Sequence, residues 1–270
     1  MPEAEPVSAL VTVERPWAGC AVVTLNRPAA LNALSLSLRC ELARTFQALA
    51  HDGETRVAVL TGSGRAFCAG LDLRELARAP DPGRLVVGAA VDDPLRALAA
   101  FPGPVIAAIN GAAVTGGLEL AIACDVLIAS EHARFADTHA RVGVLPGWGM
   151  SQRLPRLIGR GRALEMSLTG NFIDARQALE WGLINRVVAH DLLMTEALRV
   201  AGDMLTVEPE MLVEYRRLIH DGLDTDLAQG LALEARRSSE WARAIDPGAL
   251  EARRRAVQER GRAQRPADDT

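Results

Sequence analysis

Two glycine-bearing stretches of this chain have the residue types to turn a backbone N–H toward one shared carbonyl oxygen. They are Ala66-Phe67-Cys68-Ala69-Gly70-Leu71-Asp72-Leu73 and Asn110-Gly111 followed by Gly116-Gly117-Leu118-Glu119-Leu120. In the first, Gly70 permits a sharp bend that lets the N–H of Leu71 point into a cleft. In the second, Gly116 and Gly117 open a predicted helix whose first N–H groups have no intrahelical partner and lie at its positive dipole end. Two such donors make an oxyanion hole. Deprotonating the carbon beside a thioester, or adding a nucleophile to its double bond, places negative charge on the carbonyl oxygen, and one donor is worth about 3 kcal/mol of barrier. Glu119 stands three residues after Gly116, so its carboxylate stays near those donors. A glutamate at a helix start is also explained by the dipole alone; beside two glycine loops it reads as a base.

Composition narrows the chemistry. The chain has 270 residues, 49% of them hydrophobic, enough for one large domain or one domain with a helical appendage. A net charge of -4 and a pI near 5.8 provide no broad basic field for nucleic acid. The arginines from Arg253 to Arg265 read as a solvated helix face. No apolar run reaches the roughly 20 residues of a membrane span, and the start Met1-Pro2-Glu3-Ala4-Glu5 is acidic, unlike a signal peptide. A cytoplasmic protein without nucleic-acid or membrane partners is expected. The chain contains no lysine, which removes Schiff-base catalysis, covalent pyridoxal phosphate and the P-loop. Phosphate contacts fall to arginine, hydroxyls or backbone N–H groups. Cys20, Cys40, Cys68 and Cys124 lack CxxC spacing and are expected to be buried, reduced thiols.

The elements that position the loops alternate strand and helix. Strands are predicted at Ala21–Leu25, Val57–Thr61, Val105–Ile109 and Val126–Ala129, and helices at Ser35–Leu49, Pro94–Ala100 and Gly116–Ala123. Residues 78–88, rich in Pro, Gly and Arg, are expected to form a mobile loop over the site. Beyond Val188 the pattern turns helical, with segments predicted at 192–205, 209–220, 225–243 and 247–260. Two domains are therefore expected, 1–195 and 196–270, with Leu227, Leu231 and Trp241 available for packing on the first domain or on another subunit. No internal repeat is visible.

Leu25-Asn26-Arg27-Pro28 with Leu31-Asn32-Ala33-Leu34, then Phe67 to Leu73, Ile109 to Asp125 and Leu168-Thr169-Gly170 resemble the crotonase superfamily of enoyl-CoA hydratases and isomerases, in order along nearly the whole chain. The resemblance implies an α/β fold, the crotonase/ClpP-like spiral of ββα units with a C-terminal helical trimerisation domain. It also implies an acyl-CoA thioester substrate, coenzyme A being part of the substrate and not a separate cofactor, no metal, and a homotrimer or hexamer built as a dimer of trimers. Leu71 and Gly116 would supply the oxyanion N–H groups and Gly117 would adjoin them. Ala30, Leu31, Ala66, Ala69, Gly70, Asp72, Leu73 and Arg74 would lie along the coenzyme A path.

By the same matching Glu119 is the first catalytic carboxylate of a hydratase. Where hydratases carry the second, twenty residues on, this chain has Asp137-Thr138-His139-Ala140-Arg141. Histidine exchanges protons near neutral pH, so a Glu119–His139 pair remains capable, with His139 as second acid/base or as a group orienting water. The competing role for His139 is structural, and Asp137 is expected to point away in an extended segment. Trp148 would either trim the acyl pocket or pack in the core. A dehalogenase aspartate would fall where Gly147 stands, and no serine-protease triad is recognisable. Three readings follow: enoyl-CoA hydration, double-bond isomerisation by Glu119 alone, or acyl-CoA binding without turnover.

Overall fold

The computed structural model describes residues 9–81, 83 and 93–264. Most of the expected loop over 78–88 lies outside the described residues. The strands are β1 (Val11–Trp17), β2 (Cys20–Leu25), β3 (Val57–Gly62), β4 (Ala66–Cys68), β5 (Val105–Ile109), β6 (Ala112–Val114), β7 (Val126–Ser130), β8 (Arg134–Ala136), β9 (Ile173–Asp174) and β10 (Arg186–Val188). They form two sheets, β1-β2-β3-β5-β7-β10 and β4-β6-β8-β9. The pairs β3/β4, β5/β6 and β7/β8 each send their first strand to the larger sheet and their second to the smaller. Each pair is followed by a helix: α2 (Leu73–Leu76), α4 (Gly116–Ile122) and α5 (His139–Val142), so the chain winds through three ββα turns.

The larger sheet is covered on both faces, which its parallel β2-β3-β5-β7 centre requires. Ala21, Val23, Leu25, Ala58 and Leu60 face one core with α1 (Leu36–His51). The alternate residues Cys20, Val22, Val57 and Val59 face a second, covered by Leu193, Ala197, Val200 and Ala201 of α9 (Leu193–Leu205). Ser35 caps α1, accepting the N–H of Leu38. The helix α3 (Pro94–Ala100) and strand β5 occupy the segments predicted for them.

All four cysteines are free; Cys20, Cys68 and Cys124 are buried. Burial pushes the Cys68 thiol up to about 12 and that of Cys20 to about 11, which makes both unreactive at neutral pH.

The expected domain boundary near 195 is displaced. The first compact unit runs to Val213, because α9 closes the second core instead of leaving it. The second unit begins at Glu214 and is helical over its described residues. It carries the end of α10 (Pro209–Leu223), α11 (Leu227–Ala242) and α12 (Pro247–Ala263), with Leu223, Leu227 and Leu231 exposed in the single chain. No helix among the described residues is long and apolar enough to cross a membrane.

Candidate active site

The two glycine loops lie against each other. Leu34 forms a parallel bridge to Leu71, giving its N–H to the Gly70 carbonyl (2.7 Å) and accepting from the Asp72 N–H (3.4 Å). In such a bridge the N–H of the middle residue, Leu71, turns to the opposite side. Leu71 also lines a cavity of about 40 Å³ whose walls include Ala69, Leu73, Thr115, Thr138 and His139. Gly70 has φ +89°, and a Cβ on it would lie 2.8 Å from the Val114 carbonyl and 3.2 Å from the Gly116 nitrogen. A Cβ on Gly117 would collide with the Cys68 carbonyl oxygen. Glycine is therefore needed on both sides for the Leu71 segment and the start of α4 to meet. Thr115, before α4, holds a left-handed φ of 54°, a strained conformation for a β-branched residue. Its hydroxyl accepts the Thr138 N–H (3.1 Å).

Glu119 is buried behind this junction. Its Oε1 accepts the backbone N–H groups of Trp148 (2.9 Å) and Met150 (3.0 Å), at the start of α6 (Met150–Ile158). Its Oε2 lies 3.6 Å from Nε2 of His139. The other imidazole nitrogen, Nδ1, is 2.6 Å from Oδ1 of Asp137, which also accepts the His139 backbone N–H (3.1 Å). Asp137 does not point away, contrary to expectation. The extended segment ends at Ala136, and the chain turns into α5, folding the carboxylate over its first turn. Glu119, His139 and Asp137 thus form one buried chain of acid/base groups, with exposures of 1%, 6% and 2%.

Burial pushes the Glu119 carboxyl above its usual range, more than its backbone N–H donors and His139 pull it down. For Asp137, burial acts upward but is outweighed by hydrogen bonds from His139 and Ser167, so the carboxyl sits below the ordinary aspartate range and is ionised at neutral pH. A base with a raised pKa loses activity on acidification earlier than a free glutamate. The acidic limb of kcat/KM is therefore expected above the ordinary value of about 4.3, in a pH–rate profile taken over pH 4–9.

The other predicted site residues divide. Leu31, in a left-handed conformation (φ 53°), accepts the Ala69 N–H at its carbonyl (3.0 Å) and adjoins the cavity-lining segment; Ala30 ends the short 3-10 helix before it. Leu73 and Arg74 are exposed beside the cavity in α2. Ala66 is buried, and its carbonyl accepts from the side chains of Asn32 (2.8 Å) and Asn110 (3.3 Å), so it belongs to the scaffold. Asp72 caps α2 and pairs with Arg27 at 2.6 Å. Trp148 is buried in the core, and a Cβ on Gly116 would lie 3.3 Å from its ring, so it packs against the start of α4 and is not among the residues lining that cavity. Thr115 and the orientation of Asp137 had no local signal that would have marked them, since each acts through a partner distant in sequence; Asn32 stood within the Leu31–Leu34 motif, but its hold on the Ala66 carbonyl did not show there.

Asp72 offers a stability check. Burial raises its carboxyl, but Arg27 and the α2 N–H groups outweigh that and hold it low. Its contribution is then present above the unfolded pKa of about 3.9 and is lost as pH falls through the folded value. Asp72→Ala is expected to cost about 0.5–2 kcal/mol at pH 7, the usual loss of a helix cap, and less at pH 3. Urea melts at both pH values would measure it.

Among the described residues no group of three or more His, Cys, Asp or Glu is placed to hold a metal ion. What this fold and its cavity present is a candidate enzyme site, with two glycine loops in contact and a buried carboxylate–imidazole–carboxylate chain beside them. Among known proteins, residues 16–247 match the enoyl-CoA hydratase/isomerase family, and the chain belongs to that family. It is 40% identical over 229 residues to an Arabidopsis thaliana protein named "Probable enoyl-CoA hydratase 1, peroxisomal", covering 85% of each chain. It is 39% identical to the 2,3-dehydroadipyl-CoA hydratase of Escherichia coli, over 79% of this chain and 83% of that one. The crystal structure of the enoyl-CoA hydratase from Bacillus anthracis superposes with a TM-score of 0.84 at 35% identity, covering 92% of this chain and 97% of that one.

Proposed function

We propose that the protein hydrates 2-enoyl-CoA thioesters with Glu119 and His139 as its two acid/base groups. The carrying observation is the buried Glu119 Oε2 to His139 Nε2 approach of 3.6 Å beside the oxyanion loops. Ionised Glu119 takes a proton from water as the water oxygen bonds to the β-carbon. The double-bond electrons move toward the carbonyl, whose oxygen is met by the N–H groups of Leu71 and Gly116. His139 gives its Nε2 proton to the α-carbon, and the proton on Glu119 then passes back to His139. On this reading coenzyme A runs past Ala30, Leu31, Leu73 and Arg74, and the exposed leucines of the C-terminal unit pack between subunits of a homotrimer or a dimer of trimers. Sedimentation velocity tests that assembly.

The activity test follows loss of enoyl absorbance with crotonyl-CoA and longer 2-enoyl-CoA substrates. Wild type should turn over, and His139→Ala should lose about 10²–10⁴-fold in kcat, the usual range for a positioned acid/base, while still binding CoA ester. An inert wild type that gains hydration through His139→Glu would reject the Glu–His assignment. Solvent deuterium entering the product without oxygen-18 would assign isomerisation by Glu119 alone. Tight binding without turnover across chain lengths would assign a binding role.

A further inference from the structure

We infer that Asp137 is a positioning residue that holds His139 as its Nδ1–H tautomer, leaving Nε2, the nitrogen facing Glu119, to carry the mobile proton. The inference rests on the hydratase reading for its kinetic consequence, but the tautomer itself is a property of the folded chain.

The geometry leaves little choice. Asp137 Oδ1 accepts the His139 backbone N–H and lies 2.6 Å from Nδ1. An ionised carboxylate is acceptor only, so the hydrogen between them belongs to Nδ1. Ser167, from the helix over Arg160–Thr169 that packs against α5, donates to the same carboxylate and reinforces its ionised state. Arg141, the remaining charged side chain of α5, is turned away, its Nε donating to the Thr169 carbonyl (2.6 Å). The groups facing the imidazole are thus Asp137 on one nitrogen and Glu119, from α4, on the other, with the Thr115 and Thr138 hydroxyls in the adjoining cavity wall.

With Nδ1 protonated and Asp137 ionised, Nε2 and Glu119 have one proton to divide. It sits either on Nε2, as an imidazolium between two carboxylates, or on Glu119 facing a neutral ring. The first form places the Asp137 carboxylate beside a positive ring. In that form Glu119 is a base and His139 an acid, as hydration needs. Asp137→Asn removes the charge while keeping the shape, and its amide can donate to Nδ1 and so reverse the tautomer.

The test uses the full chain labelled with ¹⁵N in histidine, its His139 signals identified by their loss in His139→Gln. At a pH where the ring is neutral, the two-bond ¹⁵N–¹H pattern should report Nδ1–H in wild type and lose that preference in Asp137→Asn. Hydration by Asp137→Asn should fall about 10²-fold or more in kcat, with KM within about threefold because Asp137 does not reach substrate. An Nε2–H or mixed tautomer in wild type overturns the inference even if the variant misfolds. So does an Asp137→Asn protein that keeps both the Nδ1–H pattern and the wild-type kcat. If wild type hydrates no enoyl-CoA but shows Nδ1–H, the hydratase reading falls and the positioning role stands.

Discussion

Glu119→Gln is expected to bind CoA thioesters about as well as wild type and to turn them over about 10²–10⁴-fold more slowly. The substitution is nearly isosteric, and the amide oxygen can still accept from the Trp148 and Met150 N–H groups that hold the carboxylate now. Proton acceptance is lost, together with the negative charge that faces His139 Nε2 at 3.6 Å. Stability should move the other way. Because burial raises the Glu119 carboxyl, the ionised form at neutral pH costs folding free energy, and a neutral side chain removes that cost. The thermal midpoint at pH 7 should equal or exceed that of wild type. Calorimetry and stopped-flow absorbance on the same preparation decide it; retained turnover, or a large drop in midpoint with loss of ligand binding, would remove Glu119 from the role of base.

Gly70→Ala is expected to lose both stability and rate. At φ +89° an alanine pays about 1–2 kcal/mol for the left-handed backbone. Its Cβ would press on the Val114 carbonyl at 2.8 Å, a backbone atom that no rotamer change can move aside, adding about 1–3 kcal/mol. Relief requires the Leu71 segment to move away from Gly116, which spoils the donor pair, so kcat should fall about 10²–10³-fold, as when one oxyanion donor is removed. Gly53→Ala is the control, because Gly53 also has a positive φ (+68°) but no atom within 4 Å of the added carbon. It should lose stability alone. Equal activity loss in both variants would show that Gly70 acts through general stability and not through the loop junction.

The long elements were legible because each satisfies its own pattern. Ser35 before the apolar spacing Leu38, Leu42 and Phe46 marks α1, and the apolar run Val105–Ile109 marks β5. The second strand of every ββα turn was not legible, since β4, β6 and β8 are three residues each and give no periodicity to count. The threefold repeat stayed hidden for the same reason: its turns share topology while their helices and loops differ in length. The domain boundary was misplaced because α9 looks like the helices after it, and only its burial on the sheet assigns it to the first unit.

The residue types alone determined which chemistry is possible: glycines where backbone must approach backbone, a carboxylate just behind them, a histidine twenty residues on, and no lysine anywhere. These are local facts, set by which side chains exist and by their spacing in one segment. Tertiary structure decided which groups act on one another. β6 pairs with β8 so that Val114 lies beside Ala136, and the Thr115 N–H donates to the Ala136 carbonyl at 2.9 Å. The chain therefore leaves both strands side by side, and the two helices that follow bring Glu119 and His139 together across twenty residues of sequence. The turn after Ala136 folds Asp137 onto the same imidazole. No local propensity encodes that register, because pairing of two three-residue strands is fixed by the core they jointly bury.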